Sequence, residues 1–194
     1  ILRLFPKPDG TYEIPDGNLF QKNGAGDDEK KRKTRPEIFV MGNRNPYRIS
    51  VDKANSWLYW GEVGPDAGEN SDTLGPRGYD EVNQARVAGN FGWPLFVGDN
   101  KAYSAHVFAD SLSKQPFFDP QKPVNSSPHN TGLVDLPPAQ PAFIWYPYDN
   151  SPDFGEIVGK GGRNAMAGPV YHESDFSGIN NRFPPFFDGK LFIY

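Results

Sequence analysis

The chain has 194 residues, of which 21 are glycine and 20 are proline. This density of helix breakers excludes a helical bundle, and an aromatic content of 14% excludes a wholly disordered protein. The net charge of −4 provides no basic field for nucleic acid, and no apolar run reaches the roughly 18 residues needed to span a bilayer.

The chain contains no cysteine, which excludes thiol catalysis, disulfide scaffolding and cysteine-based zinc sites. This composition is compatible with a periplasmic or secreted protein, and we expect one of these two locations. Strand-like runs at both ends, starting at Ile1 and finishing at Tyr194, predict a piece of a longer polypeptide that carries further domains.

Short aromatic and β-branched runs bounded by Gly, Pro, Asn or Asp predict strands. In chain order these are residues 1–5, 11–14, 37–41, 48–52, 57–63, 143–146, 168–171 and 190–194. A turn is predicted at Pro8-Asp9-Gly10, and Asn55-Ser56 predicts a hairpin turn. The run from Trp57 to Trp60 is bulky on both faces, so we expect that strand to be covered on both sides.

Three segments between these strands have their own composition. Residues 27–35 form a charge run, which is typical of a solvated loop. Residues 99–115 lack glycine and proline and predict a short helix with Tyr103, Val107, Phe108 and Leu112 on one face. The proline-rich residues 116–141 predict a long ordered excursion or lid.

Recurring clusters of short strands with Gly-rich turns favour an all-β chain built as a β-propeller. A propeller blade takes roughly 40–50 residues, so a chain of this length would hold about four blades. Because propellers close into rings, we expect this chain to form part of a larger ring.

Four motifs stand out in order along the chain. They are Gly42-Asn43-Arg44-Asn45-Pro46, Gly75-Pro76-Arg77-Gly78-Tyr79-Asp80-Glu81-Val82-Asn83, Gly89-Asn90-Phe91-Gly92-Trp93-Pro94 and Met166-Ala167-Gly168-Pro169-Val170-Tyr171. Together they resemble the soluble glucose/sorbosone dehydrogenase family, whose members are six-bladed β-propellers that use pyrroloquinoline quinone (PQQ) and calcium. The resemblance implies that residues 1–194 form a single partial domain of this type.

The resemblance assigns Arg44 and Asn45 to cofactor binding. PQQ is a planar quinone with three carboxylates, and Arg44 offers a planar pair of donors to a carboxylate or quinone oxygen. Asn45 offers an amide beside it, and Pro46 stiffens the turn that presents both.

Calcium prefers oxygen ligands, including backbone carbonyls. In the family, the carbonyls of a Gly-Pro pair hold the calcium under PQQ. This sequence has two such pairs, Gly64-Pro65 and Gly75-Pro76, because an insertion at residues 66–74 splits the motif. The first pair follows Val63 where the family has His, and the sequence leaves open which pair takes the role.

A second, structural calcium occurs in some members of the family. The matching ligand positions here are Glu81, Phe91 and Val97. The family's later Asp falls on Lys101 in this chain, with Asp99 nearby, so the pattern departs from the family at this ligand.

The implied activity is oxidation of a sugar hydroxyl by hydride transfer to PQQ. The family's general base is a His that lies upstream of everything in this chain, and His106, His129 and His172 do not match its position. We therefore assign no catalytic residue and expect the chain alone to be inactive. The alternative is a non-catalytic carbohydrate- or protein-binding module, as in the hedgehog-interacting proteins that resemble the family. A third reading is a scaffold propeller that binds neither metal nor sugar.

Overall fold

The computed structural model of the chain describes residues 1–20, 33–107, 109–110, 114–160 and 162–194. Its regular structure is almost entirely β, as the composition predicts. The strands are β1 (Phe5–Pro6), β2 (Tyr12–Glu13), β3 (Val40–Met41), β4 (Pro46–Asp52), β5 (Trp57–Glu62), β6 (Asp80–Ala85), β7 (Gly89–Asn90), β8 (Phe96–Val97), β9 (Lys101–Ala102), β10 (Ile144–Tyr146), β11 (Ala167–Tyr171) and β12 (Lys190–Ile193). One four-residue helix, α1 (Gly155–Val158), and two 3₁₀ turns, Glu173–Phe176 and Pro185–Phe187, complete the set in the described residues.

The central element is a four-stranded antiparallel sheet in the order β10-β6-β5-β4. The hairpin between β4 and β5 turns at Ser56, whose φ of 62° is left-handed and whose amide donates to the Asp52 carbonyl. The remaining described strands form two-stranded pairs, of which β3–β7 is parallel. This sheet is the only four-stranded one that the described residues contain, and the number of blades stays a prediction.

Strand β5 is covered on both faces, as its sequence predicts. On one face Leu58 and Trp60 pack with Phe39 and Phe91 in a buried cluster. On the other face Gly61 meets the backbone of Ala165 so closely that an added Cβ would lie 1.9 Å from the Ala165 carbonyl oxygen. A second cluster on this face joins β6, β10 and the segment before β11. The sheet is therefore held between two layers of chain, which fixes its loops at both ends.

The predicted helix at residues 99–115 is wrong for the part that the structure describes. Lys101–Ala102 is strand β9, paired with β8, and Asn100 before it has a left-handed φ of 68°. The amide of Tyr103 donates to Leu95 and that of Ala105 donates to Pro116, so these backbone donors are used across the chain rather than along a helix. Phe108 and Leu112, which the helix prediction also used, lie outside the described residues, as do residues 27–32 of the predicted charged loop.

Residues 116–141 contain no helix or strand but are fixed by single bridges. Phe117 pairs with Ser104, Val124 pairs with Asp135, and Ala139 pairs with Asn90. The excursion is thus ordered against the body of the chain, next to the Asn90 loop. Within the described ranges, no helix is long and apolar enough to cross a bilayer.

Candidate cofactor and metal site

The first and third sequence motifs meet through the parallel pair β3–β7. The amide of Phe91 donates to the Met41 carbonyl over 2.8 Å, and the amide of Trp93 donates to the Gly42 carbonyl over 3.1 Å. Gly42 has a φ of 78°, and a Cβ there would lie 2.4 Å from Asn90 Oδ1. Only glycine satisfies both the backbone angle and this contact.

Glu62, at the end of β5, shapes the loop that carries the predicted cofactor residues. Its Oε1 accepts hydrogen bonds from the backbone amides of Arg44, over 2.6 Å, and Asn45, while Oε2 accepts from Trp60 Nε1 over 3.2 Å. The side chain is only 5% exposed. Burial raises the pKa of Glu62, and the two amide donors oppose the rise by stabilising the carboxylate.

The loop presents Arg44 and Asn45 at the surface, where both are exposed. Arg44 Nη1 donates to the Val63 carbonyl over 2.7 Å, and the guanidinium lies 5.7 Å from the centre of the Trp93 ring. These contacts occupy one edge and one face of the guanidinium. A planar anionic ligand could bind its other side.

Glu81 on β6 lies directly opposite Glu62 in the sheet register. Its Oε1 accepts from the Gly98 amide over 2.5 Å and its Oε2 accepts from Asn83 Nδ2 over 3.0 Å. Burial raises the pKa of Glu81 to about 7, and the neighbouring charges of Glu62 and Asp80 add to the rise. Two buried carboxyl groups facing each other across strands are unfavourable unless a cation or a proton offsets them.

The turn at Gly64-Pro65 is fixed by the fully buried Asp80. Asp80 Oδ1 accepts from the Gly64 amide over 3.0 Å, and Oδ2 accepts from the Ala165 amide over 2.9 Å. Burial raises the pKa of Asp80, while these amides and the charge of Arg163 oppose it. Gly64 also lies against Tyr79, so that a Cβ would fall 1.8 Å from the Tyr79 carbonyl oxygen.

These parts enclose one narrow cleft of about 10 Å³, which is room for about one water molecule or one ion. Its walls are Arg44, Glu62, Gly64, Pro65, Tyr79, Glu81, Phe91, Trp93, Phe96 and Val97. Six of the residues that the sequence singled out for cofactor or metal binding therefore surround the same space: Arg44, Gly64, Pro65, Glu81, Phe91 and Val97.

The second Gly-Pro pair does not line this cleft. Gly75 pairs with Ser71 in both directions, over 2.8 and 2.9 Å, and packs against the Tyr103 ring. Its carbonyl oxygen is already used by the Ser71 amide. Of the two pairs that the sequence left open, Gly64-Pro65 is the one beside Arg44 and Glu81.

Two residues that line the cleft, Glu62 and Glu81, carry carboxylate oxygens of the kind that calcium binds. Each of these oxygens also accepts at least one hydrogen bond from the protein. The buried Asn83 Oδ1, beside Glu81, has no hydrogen-bond partner. Lys101, at the position of the family's later Asp, forms an ion pair with Asp99: its Nζ lies 2.5 Å from Asp99 Oδ1.

The acidic residues of the insertion do not form a second cluster. Asp66, Glu69 and Asp72 are exposed, and the described residues contain no group of three His, Asp or Glu side chains placed to hold a metal. His106, His129 and His172 do not line the cleft. His172 instead pairs with Asp52, at the opposite end of the central sheet.

Sequence reasoning missed two roles at this site. Glu62 was visible only as part of a motif, although its spacing from Trp60 on one strand face could have indicated a buried acid. Arg163 had no sequence signal, because its partner Pro65 is 98 residues away. Trp93 of the third motif also lines the cleft, beside Arg44.

A comparison with protein families matches residues 12–136 to the glucose/sorbosone dehydrogenase model. The chain belongs to the glucose/sorbosone dehydrogenase family. The match contains three of the four motifs, and this family membership confirms the resemblance drawn from them.

Curated relatives match shorter stretches. The HIPL2 protein of Arabidopsis thaliana is 32% identical over 105 residues, which are 54% of this chain and 12% of the relative. The aldose sugar dehydrogenase YliI of Escherichia coli is 34% identical over 83 residues, 43% of this chain and 17% of the relative. The matches thus span less than a fifth of these relatives' lengths. No solved structure matches the chain.

Proposed function

We propose that this chain contributes the cofactor-binding part of a PQQ- and calcium-dependent sugar dehydrogenase built on a six-bladed β-propeller. The observation that carries the proposal is the single cleft lined by Arg44, Gly64-Pro65 and Glu81. Family membership and the similarity to an aldose sugar dehydrogenase support it. The propeller form is supported by the central four-stranded antiparallel sheet, since such sheets are the blades of propellers.

In this proposal Glu81 and the Gly64 carbonyl, which the resemblance gives to two different calcium sites, would together hold one calcium ion, and Arg44 and Asn45 would bind PQQ. When bound, PQQ accepts the hydride from the sugar carbon. The cleft itself has room for about one ion, so PQQ would be held outside it by the exposed Arg44 guanidinium. Glu62 accepts a hydrogen bond from the Arg44 amide and so fixes the loop, and the Trp93 ring contacts the guanidinium on one face.

The test uses the full-length protein with PQQ, calcium and a panel of aldoses, with reduction of an artificial dye as the signal. We expect dye reduction only when PQQ and calcium are both present. Arg44→Met should weaken PQQ binding at least tenfold, because a charge-assisted contact to a carboxylate is lost. Arg86→Met is the matched control, because Arg86 is exposed and stacks on Trp57 at the far end of the sheet.

A non-catalytic binding module is the second candidate. It is favoured by Val63 in place of the family's His and by the similarity to HIPL proteins, whose names state no activity. Calorimetry separates the two candidates: no heat with PQQ and no oxidation of any aldose would support the binding module. In either case we propose a periplasmic or secreted location, which fits the absence of cysteine.

A further inference from the structure

Arg163 lies in the segment before β11 and reaches the turn that borders the cleft. Both of its terminal nitrogens, Nη1 and Nη2, donate to the Pro65 carbonyl oxygen over 3.2 Å. The side chain is 11% exposed, and Nη2 lies 3.6 Å from Asp66, the residue that follows the turn. The buried guanidinium thus places two donors on one carbonyl oxygen, at the long end of the N–H···O range.

The neighbouring backbone makes room for this contact. A Cβ on Gly78 would lie 1.8 Å from the Pro65 oxygen and 2.6 Å from Arg163 Nη1. The Gly78 amide donates to Ala67 over 2.8 Å, which closes the base of the insertion. The guanidinium therefore occupies a space that the glycine leaves open, between the two ends of the insertion.

Arg163 also lies near a buried negative charge, the carboxylate of Asp80. Its Nε lies 3.8 Å from Asp80 Oδ1, the same oxygen that accepts from the Gly64 amide, and has no hydrogen-bond partner among the described residues. Arg163 thus touches the turn from both sides, at the Pro65 carbonyl directly and at Gly64 through Asp80. It brings to the site a positive charge from a segment 98 residues away in sequence.

We infer that Arg163 is a positioning residue that holds the Gly64-Pro65 turn against the cleft. Because the Pro65 carbonyl already accepts two hydrogen bonds from Arg163, the inference assigns the ion to the Gly64 carbonyl. The claim that the Gly64 carbonyl binds an ion rests on the proposed function. The claim that Arg163 holds the turn in place does not, and it can be measured without calcium or PQQ.

The test compares the full-length protein with Arg163→Met, Arg163→Lys and the control Arg77→Met. Arg77 follows the same insertion in the chain and pairs with the exposed Asp149 over 2.7 Å. Amide hydrogen exchange is measured at Gly64 and Gly78 and at the remote Gly89, whose amide bonds to Phe39. In Arg163→Met we expect exchange at least tenfold faster at Gly64 and Gly78, with Gly89 and the Arg77→Met variant unchanged.

Arg163→Lys keeps the charge and loses the paired donors, and it serves where Arg163→Met fails to fold. We expect its exchange at Gly64 to rise and its calcium affinity, measured by calorimetry, to fall five- to tenfold. Unchanged exchange at Gly64 in the variants, or an equal change at Gly89, would overturn the inference. If the unmodified protein binds no calcium, the calcium part of the proposed function fails, and the exchange result still decides the role of Arg163.

Discussion

Glu62 and Glu81 lie opposite each other on neighbouring strands, and both side chains are nearly inaccessible to water. Two features offset the cost of this arrangement. Backbone amides of Arg44, Asn45 and Gly98 donate to the carboxylates, and Arg44 brings a positive charge to the same cleft. The remaining imbalance is what a divalent cation would remove, and in its absence a proton on Glu81 would do so.

The raised pKa of Glu81 predicts how metal-free stability changes with pH. The folded-state pKa of about 7 lies above the ordinary value of 4.5, so folding favours the protonated form. The contribution of protonated Glu81 to the free energy of unfolding is complete below pH 4.5 and is lost as the pH rises through 7. This rise in the pKa corresponds to roughly 3–4 kcal/mol of the free energy of unfolding between pH 4.5 and pH 8, because each pKa unit is about 1.4 kcal/mol.

Urea unfolding in EDTA at pH 5 and pH 8 would measure this loss. Glu81→Gln should reduce the pH difference, since the new amide stays neutral and can bond to the unpartnered Asn83 Oδ1. The part that remains reflects Glu62 and Asp80, whose pKa values burial also raises. Calcium should reduce the loss at pH 8 in the unmodified protein and have no effect on the variant. Equal stability at the two pH values in EDTA would contradict the burial of Glu81 as an acid.

At the level of elements, the segments that flank the insertion at residues 66–74 contact each other. Gly64 lies on Tyr79 and Gly78 lies on Pro65, so the two ends of the insertion touch where it begins. Beyond this base, the insertion packs against the end of β9: Ser104 donates from its amide to Leu74 and from its Oγ to Thr73. Gly64-Pro65 therefore lines the cleft, whereas Gly75-Pro76, which follows the insertion, packs at Tyr103 and is not part of the cleft wall.

Deleting residues 66–76 tests which Gly-Pro pair serves the site. The deletion joins Pro65 to Arg77 and restores the uninterrupted spacing of the family motif. We expect calcium affinity within threefold of the unmodified protein, because Gly64-Pro65 stays in place, and a modest loss of stability from the lost contacts to Ser104. Loss of calcium binding in this deletion would assign the role to Gly75-Pro76 instead.

Gly64→Ala is the complementary variant, with Gly68→Ala as its control. A Cβ at Gly64 would collide with the Tyr79 carbonyl and force the turn to move, whereas a Cβ at Gly68 meets no atom within 4 Å. Overpacking of this kind costs about 1–3 kcal/mol, while the exposed control should change stability by less than about 0.5 kcal/mol.

The sequence predicted a strand that is buried by apolar side chains and missed one that is buried by hydrogen bonds to acidic side chains. The bulky run Trp57–Glu62 indicated a doubly covered strand, because apolar residues on both faces report burial directly. Strand β6 escaped prediction, because Asp80 and Glu81 are typical of loops and are buried here only through hydrogen bonds from Gly64, Ala165 and Gly98. The family resemblance assigned Arg44 to cofactor binding and Glu81 to a second, structural calcium, and it carried no information about Arg163.

On the scale of the whole molecule, the central sheet has two distinct ends. Strand β4 runs from Pro46, beside the cleft, to Asp52, and its seven residues cover about 20 Å. At the far end His172 Nε2 lies 2.7 Å from Asp52 Oδ1, which ties the β11–β12 pair to the β4–β5 hairpin. Burial works to raise the pKa of Asp52, but hydrogen bonds from the Ala54 amide, His172 and Asn55 outweigh it and lower the pKa. Ionised Asp52 therefore contributes to the free energy of unfolding above about pH 4, and this contribution is lost in more acidic solution.

This separation predicts that His172 acts in stability and not in catalysis. His172→Ala removes one of three partners of the buried Asp52 and should lower the free energy of unfolding by about 1–3 kcal/mol. Calcium and PQQ affinities should stay within twofold, because the cleft lies at the other end of the sheet. His129→Ala is the control, since His129 is exposed and its backbone amide, not its ring, makes the contact with Ser127. Dye-reduction rates and urea midpoints measured on the same preparations decide the matter: a loss of rate in His172→Ala at unchanged stability would place His172 in the reaction and contradict the two-ended arrangement.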